Sequence, residues 1–144
     1  MTSNRTEPHP GIRTLAEPEC LALLGAGAVG RLGFVSREGV EIIPVGYRLG
    51  AGPRLFVSTQ PWGVLGQLAE SGARCSFEVD HHGSNLLEGW SVLMRGVLGR
   101  LDEAGGRAYA ALDRSLVAWP GHAHATAVQF VPRSFSGRAV LQPS

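Results

Sequence analysis

Few residues of this chain are of a type that could carry chemistry: five histidines, two cysteines, three tryptophans and one glycine run. The run Gly25-Ala26-Gly27-Ala28-Val29-Gly30 spells G-x-G-x-x-G. A dinucleotide-binding turn of that form needs a strand before it and a helix after it, so that a pyrophosphate meets the helix N-terminus. Here a helical pattern precedes and β-branched runs follow. The glycines therefore read as the end of a helix and a turn into a strand. Among the histidines, His122 and His124 are spaced to share one side of a strand, with His81 or His82 as the nearest group to complete a metal site. Both pairs sit in polar stretches flanked by glycine or proline, without an E-x-x-H or C-x-x-C partner, and no metal is expected. Cys20 and Cys75 have no base nearby in sequence, and Cys75 falls on the apolar side of an alternating run, where a thiol packs as a small hydrophobe. Two cysteines are too few for a disulfide framework or a four-cysteine zinc site. No catalytic side chain is nominated. The tryptophans stand apart: Pro61-Trp62-Gly63, Gly89-Trp90-Ser91 and Trp119-Pro120-Gly121 all lie where an element begins or beside a turn residue. Packing explains any one of them; three indoles at such junctions also suit a pocket for a planar ring.

Composition narrows the classes. All 13 basic residues are arginine, against 12 acidic ones. Without lysine there is no Schiff-base chemistry, no covalent pyridoxal phosphate and no P-loop. A net charge of +1 offers no electrostatic case for nucleic acid or an anionic membrane as partner. The 144 residues fit one domain with a real core. No apolar run approaches the roughly 20 residues of a membrane span. The first twelve residues lack the basic-then-apolar order of a secretory signal. The expectation is a cytoplasmic protein with a disordered tail over residues 1–13 and a single domain over residues 14–144.

The elements that must position these residues follow from periodicity. Leu15–Leu24 reads as a short helix, with Thr14 and Glu17 or Ala16 and Glu19 at capping-box spacing and Gly25 as its stop. Val29–Ser36 and Val40–Arg48 form a hairpin around Ser36-Arg37-Glu38-Gly39. Pro44 inside the second run implies an edge or a bulge there. Arg54–Thr59 is a third strand. Pro61 opens a helix that runs to Ser71 and ends at Gly72. Arg74–Asp80 alternates, with Cys75, Phe77 and Val79 on one side. His81–Asn85 reads as a polar loop and Glu88–Leu101 as a long strand, with Trp90, Val92 and Met94 on one face. Asp102 caps a helix from Glu103 to about Leu112. Two last strands, Thr126–Val131 and Phe135–Leu141, are separated by a turn at Pro132-Arg133. About seven strands joined mostly as hairpins, with three short helices, imply an antiparallel barrel and not a βαβ fold.

Taken in order, these segments resemble the pyridoxamine 5′-phosphate oxidase-like, FMN-binding split-barrel family in its small actinobacterial-type branch. The resemblance rests on Glu19–Leu24, Gly30–Val35, Ile43–Tyr47, Phe56–Thr59, Phe77–Asp80, Gly89–Gly96, Trp119–His122 and Ser136–Arg138. It runs from about Leu15 to Leu141. It implies a mainly β, six- to seven-stranded antiparallel split barrel and a homodimer with FMN at the subunit interface. The implied activity is that of a flavin-dependent oxidoreductase on a small-molecule substrate that the sequence does not identify. Relatives also hold a deazaflavin or haem on this scaffold.

Carried over, the flavin ring and ribityl chain lie along Pro44, Val45, Gly46 and Tyr47. The phosphate lies near Ser58, Thr59 and the helix start at Trp62, Gly63 and Val64. Trp90 and Ser91 approach from the long strand near the interface, and Trp119 from the C-terminal region. The family usually opens the helix after the third strand with Gly-Ser-Lys, whose serine and lysine grip the phosphate; here those positions read Trp62-Gly63-Val64. Losing that cation removes a charge-assisted contact of roughly 1.5–3 kcal/mol. Helix N–H groups and Arg48, Arg54 or Arg74 are the available substitutes. The alternative function is a non-enzymatic binding module on the same barrel, holding another ligand or a partner.

Overall fold

The structure is a computed structural model and describes residues 11–60, 62–83, 88–112 and 126–140. The elements are β1 (Ile12–Leu15), α1 (Glu17–Leu24), β2 (Gly27–Ser36), β3 (Gly39–Gly50), β4 (Arg54–Thr59), α2 (Val64–Ser71), β5 (Ala73–His82), β6 (Gly89–Arg100), α3 (Glu103–Ala110) and β7 (Thr126–Val140). All ladders are antiparallel. The order is β1-β7-β4-β3-β2-β5-β6, and β6 also pairs with β7. That last pairing closes six strands into a ring, while β1 lies outside it on the end of β7. Closure removes the exposed edges that an open sheet would carry. Two seams of the ring are short: β2 meets β5 over Arg31–Gly33, and β3 meets β4 over Arg48–Gly50. Beyond those rungs the β2–β3 hairpin stands clear of its neighbours, and Pro44 sits where β3 has left its ladder with β4.

Alternation fills the barrel. Cys75, Phe77 and Val79 of β5 and Val92, Met94 and Leu98 of β6 are buried. Phe77 is the centre: its ring meets Tyr47 edge-on at 5.6 Å between centroids and Phe130 at 5.4 Å. Gly30 on β2 makes room for it, because a Cβ there would come within 2.6 Å of the Phe77 ring. One strand buries both its faces. Leu55, Val57 and Thr59 of β4 face the barrel, while Phe56 lies under Tyr109 of α3 at 5.4 Å.

The local signals are legible at the helices. The Ala16 N–H donates to Glu19 Oε1 at 2.9 Å, half of a capping box, and this contact holds the Glu19 carboxyl below its ordinary range, with Arg13 adding to it. Gly25 ends α1 at φ 63°, and Gly72 ends α2 in the left-handed region at φ 65°. The glycine motif is thus a helix stop followed by strand β2. Asp102 caps α3 by accepting from the Gly105 N–H at 2.6 Å, and that contact lowers its pKa.

Four boundaries differ from the sequence expectations. Ile12 and Arg13, placed in the disordered tail, pair with Val140 and Ala139, and Leu15 ends β1 instead of starting the helix. His81 and His82 are not loop but the end of β5, held opposite Trp90 and Gly89. Helix α2 starts at Val64 with Gly63 as its cap, later than expected. Pro132-Arg133 is not a turn: β7 runs unbroken from Thr126 to Val140 along β6. Arg95 pairs with Ser134 and Gly96 with Pro132, so Arg133 is the extra residue of a β-bulge. A bulge accommodates the missing N–H of proline without ending the strand. Gly96 permits it, since a Cβ there would run into the Val131 carbonyl oxygen.

Candidate functional site

The strand segment expected along the flavin divides by its pleat. Val45 and Tyr47 turn inward and are buried, while Pro44 and Gly46 face outward. The Tyr47 hydroxyl donates to the Leu24 carbonyl at 2.8 Å, which satisfies an orphan acceptor in the last turn of α1. Burial pushes the Tyr47 pKa up to about 12, so the phenol is neutral. The side chains of Val45 and Tyr47 therefore serve the core. A ligand on this segment meets the backbone, the ring of Pro44 and the bare Cα of Gly46.

The β4–α2 junction follows. Ser58 is half-buried; Thr59 is buried and its Oγ1 donates to the Gln60 carbonyl at 3.2 Å. The Gly63 N–H donates to the same carbonyl at 2.9 Å. Gly63 caps α2 without a side chain, so the first-turn N–H groups point outward at the positive end of the helix. Trp62 and Val64 flank this turn, 69% and 45% exposed. Chain continuity thus brings Ser58, Thr59, Trp62, Gly63 and Val64 together. Gly46 lies two residues beyond the last β3–β4 rung, on the side towards Ser58.

Trp90 and Ser91 are elsewhere in the single chain. Trp90 is half-buried and stacks on His81 at 6.4 Å between ring centroids. It lines a separate cavity of about 470 Å³ with Arg13, Leu15, Leu23 and Ala139, under α1 and β1. Trp119, His122 and His124 lie outside the described residues. Among the described residues, no three His, Cys, Asp or Glu side chains cluster as metal ligands. No helix there is long and apolar enough to cross a membrane.

Of the arginines considered as phosphate partners, Arg54 is engaged at the far end of β4. It donates to the Ala51 carbonyl at 3.2 Å and faces Asp102 at 3.6 Å. Five residues of strand, about 16 Å, separate it from Thr59. Arg48 is half-buried on β3 opposite Phe56. Arg74 opens into a groove that the sequence reading missed.

That groove lies outside the barrel between the β2–β3 hairpin and the faces of β5 and β6, with a volume of about 700 Å³. Val35, Val40 and Ile42 line it and are exposed by 75%, 76% and 67%. Arg74, Arg95 and Arg133 are its cations. Cys75 is on its wall, but burial raises the thiol pKa and keeps it protonated. A signal for the groove existed in the hairpin sequence. β2 and β3 carry apolar residues on both parities, so the face turned away from the core is apolar as well.

The family model for pyridoxamine 5′-phosphate oxidase matches residues 16–139. No curated protein matches the chain. Among solved structures, an FAD binding protein from Mycobacterium smegmatis is 25% identical with a TM-score of 0.73, over 90% of this chain and 100% of that one. A conserved protein of unknown function from Corynebacterium diphtheriae is 28% identical with a TM-score of 0.67, over 91% of this chain and 99% of that one. An FAD and haem binding protein from M. smegmatis shares the fold at 16% identity and a TM-score of 0.68, over 93% of this chain and 76% of that one. The closed ring of six strands with β1 outside it is the split barrel that the resemblance implied, and the chain belongs to the pyridoxamine 5′-phosphate oxidase family.

Proposed function

We propose that this protein binds a flavin, FMN, along the outward side of Pro44 and Gly46 and the β4–α2 junction, and acts as a flavin-dependent oxidoreductase on a small molecule. The observation that carries this reading is the first turn of α2, which Gly63 caps without a side chain, beside Ser58 and Thr59 at the end of an outward strip of β3. Helix N–H groups and a dipole end suit a phosphate. Proline and glycine side by side on a strand let a flat ring approach the backbone. The flavin supplies the electron chemistry when bound. This chain's residues bind and orient it: Ser58 and the α2 amides at the phosphate, Trp62 over the junction, and Val45 and Tyr47 through the backbone they hold rigid from inside. FMN binding is supported by the family match and by the neighbour that binds FAD.

A second reading is a binding module for haem or a deazaflavin, with no enzymatic step. Val64 at the place of the family's lysine and the exposed ring of Trp62 favour it. So does the fold shared with a protein that binds FAD and haem. Colour and titration separate the two. A purified protein that is yellow, or turns yellow with added FMN at micromolar affinity, supports the first reading. A colourless protein that ignores FMN and binds hemin refutes it.

The proposed protein is a homodimer with the ligand at the subunit interface. Val35, Val40 and Ile42 form an apolar strip that a single copy leaves in water. Light scattering at micromolar concentration should give twice the 15.2 kDa chain mass, with an interface above about 1,200 Å² in total. A chain-mass species alone would refute the dimer.

A further inference from the structure

Trp90 and the cavity beside it belong to neither the packed core nor the flavin strip. The indole shares the inward side of β6 with Val92 and Met94, whereas Pro44 and Gly46 face outward on β3. At about 470 Å³ the cavity has the size of a small-molecule site.

Strand register builds it. His81 of β5 is opposite Trp90 of β6, Trp90 is opposite Ala139 of β7, and Ala139 is opposite Arg13 of β1. Directly paired residues share a face of the sheet, so these four side chains form one row. Two rings stand at one end of it, 29° from parallel with centroids 6.4 Å apart, and make an aromatic wall. Ala139 puts only a methyl group in the next place. Arg13 starts beyond it, two strand spacings or about 9.6 Å from Trp90. That interval takes a flat ring standing on the methyl group. The neighbouring row, Val79, Val92, Gly137 and Leu15, closes the inner end, and Leu23 of α1 adds an aliphatic wall.

The charges of the lining are unequal. Arg13 is engaged by Glu19 at 2.6 Å, and Glu19 also accepts from the Ala16 N–H. No guanidinium is left in the lining to hold a phosphate. Glu88, two residues before Trp90, stands exposed at the rim with its side chain over Gly83, where a Cβ would come within 2.6 Å of its Cγ. It is the carboxylate of the lining without an ion pair among the described residues. A carboxylate beside an indole face suits a positive charge.

We propose that this cavity is a second binding site, for an unphosphorylated aromatic cation. Its flat ring lies above Ala139 between Trp90 and Leu23, and its ammonium group sits at the rim by Glu88. The ring supplies most of the affinity. An exposed carboxylate adds a modest preference for positive charge.

Calorimetry on the full chain tests this with three probes that share one ring, tryptamine, tryptophol and indoleacetate, and with butylamine, which has the charge alone. Tryptamine should bind at least about tenfold more tightly than indoleacetate or butylamine, with tryptophol about threefold below tryptamine. Glu88→Gln should bring tryptamine down to the level of tryptophol and leave tryptophol unchanged. Ala139→Leu, which fills the place between Trp90 and Arg13, should weaken both at least about tenfold. If Ala139→Leu destabilises the fold, Ala22→Leu, at an exposed helix position on the cavity wall, is the blocking variant instead. Saturating FMN should leave tryptamine binding unchanged; failure to bind FMN would bear on the flavin reading and not on the cavity. Four results would overturn the proposal: indoleacetate binding as tightly as tryptamine; equal losses from Glu88→Gln and from Glu70→Gln, a carboxylate paired elsewhere with Arg100; no loss from the blocking variant; or displacement of tryptamine by FMN, which puts the ring on the flavin strip.

Discussion

Val64→Lys should tighten FMN by about one to two decades, the affinity equivalent of one charge-assisted contact to phosphate. Val64 is the first residue of α2 and is 45% exposed, so a longer side chain has solvent to extend into. The fold should tolerate it. Lysine is a better helix former than β-branched valine, while a cation at a helix N-terminus costs about 0.3–1 kcal/mol. These terms nearly cancel, so the melting temperature should stay within a few degrees. The natural chain should discriminate poorly between FMN and riboflavin, because only amides and a hydroxyl read the phosphate. The substitution should widen that difference. Trp62→Gly is the companion variant: its ring is 69% exposed beside the same turn. Weaker FMN binding by Trp62→Gly at unchanged stability shows that the ring contacts the ligand; tighter binding shows that it occludes the site. If Val64→Lys gains nothing and the natural chain already binds FMN tightly, the phosphate is held by arginines away from α2.

Phe77→Ala should cost about 3–5 kcal/mol of stability, or roughly 10–20 °C in melting temperature for a chain of this size. Phe77 is fully buried, touches the rings of Tyr47 and Phe130, and fills the space that Gly30 leaves open. Removing it leaves a cavity among four strands that closure of the barrel prevents from collapsing. Phe77→Leu keeps most of the volume and should cost clearly less, which preserves a measurable variant if alanine abolishes folding. Trp90→Phe is the contrast. Trp90 continues the face of Val92 and Met94, yet it is only half-buried and borders a cavity of about 470 Å³. It should lose less than about 1.5 kcal/mol. Denaturant midpoints of the three variants check the ranking. A Trp90→Phe loss as large as that of Phe77→Ala would make the indole a core residue, with no ring pocket at that end of the barrel.

Much of the fold was legible in the chain because its signals are local. Cys75, Phe77 and Val79 alternate with Ser76, Glu78 and Asp80, and the structure buries the first set. Gly25, Gly72 and Asp102 stop and start helices by backbone conformation and capping, which depend on a few neighbouring residues. The order of helix before glycine run before strand was enough to set the G-x-G-x-x-G aside. Where the sequence misled, a distant partner had overruled the local signal. Pro132 says turn, but fifteen residues of β7 laid along β6 absorb it as a bulge. Ile12 and Arg13 say tail, but the end of β7 offers them a ladder.

The candidate site divides the same way. Chain continuity alone joins Ser58, Thr59, Gly63 and Val64, and the departure from the family at Val64 is visible in the sequence itself. The inward turn of Tyr47 towards Leu24, the separation of Trp90 from the β3 strip, and the meeting of Arg74, Arg95 and Arg133 were decided by the tertiary structure. Those three arginines come from three strands spread over nearly sixty positions. Strand register and one bulge set their distances, and no local pattern of residues encodes either.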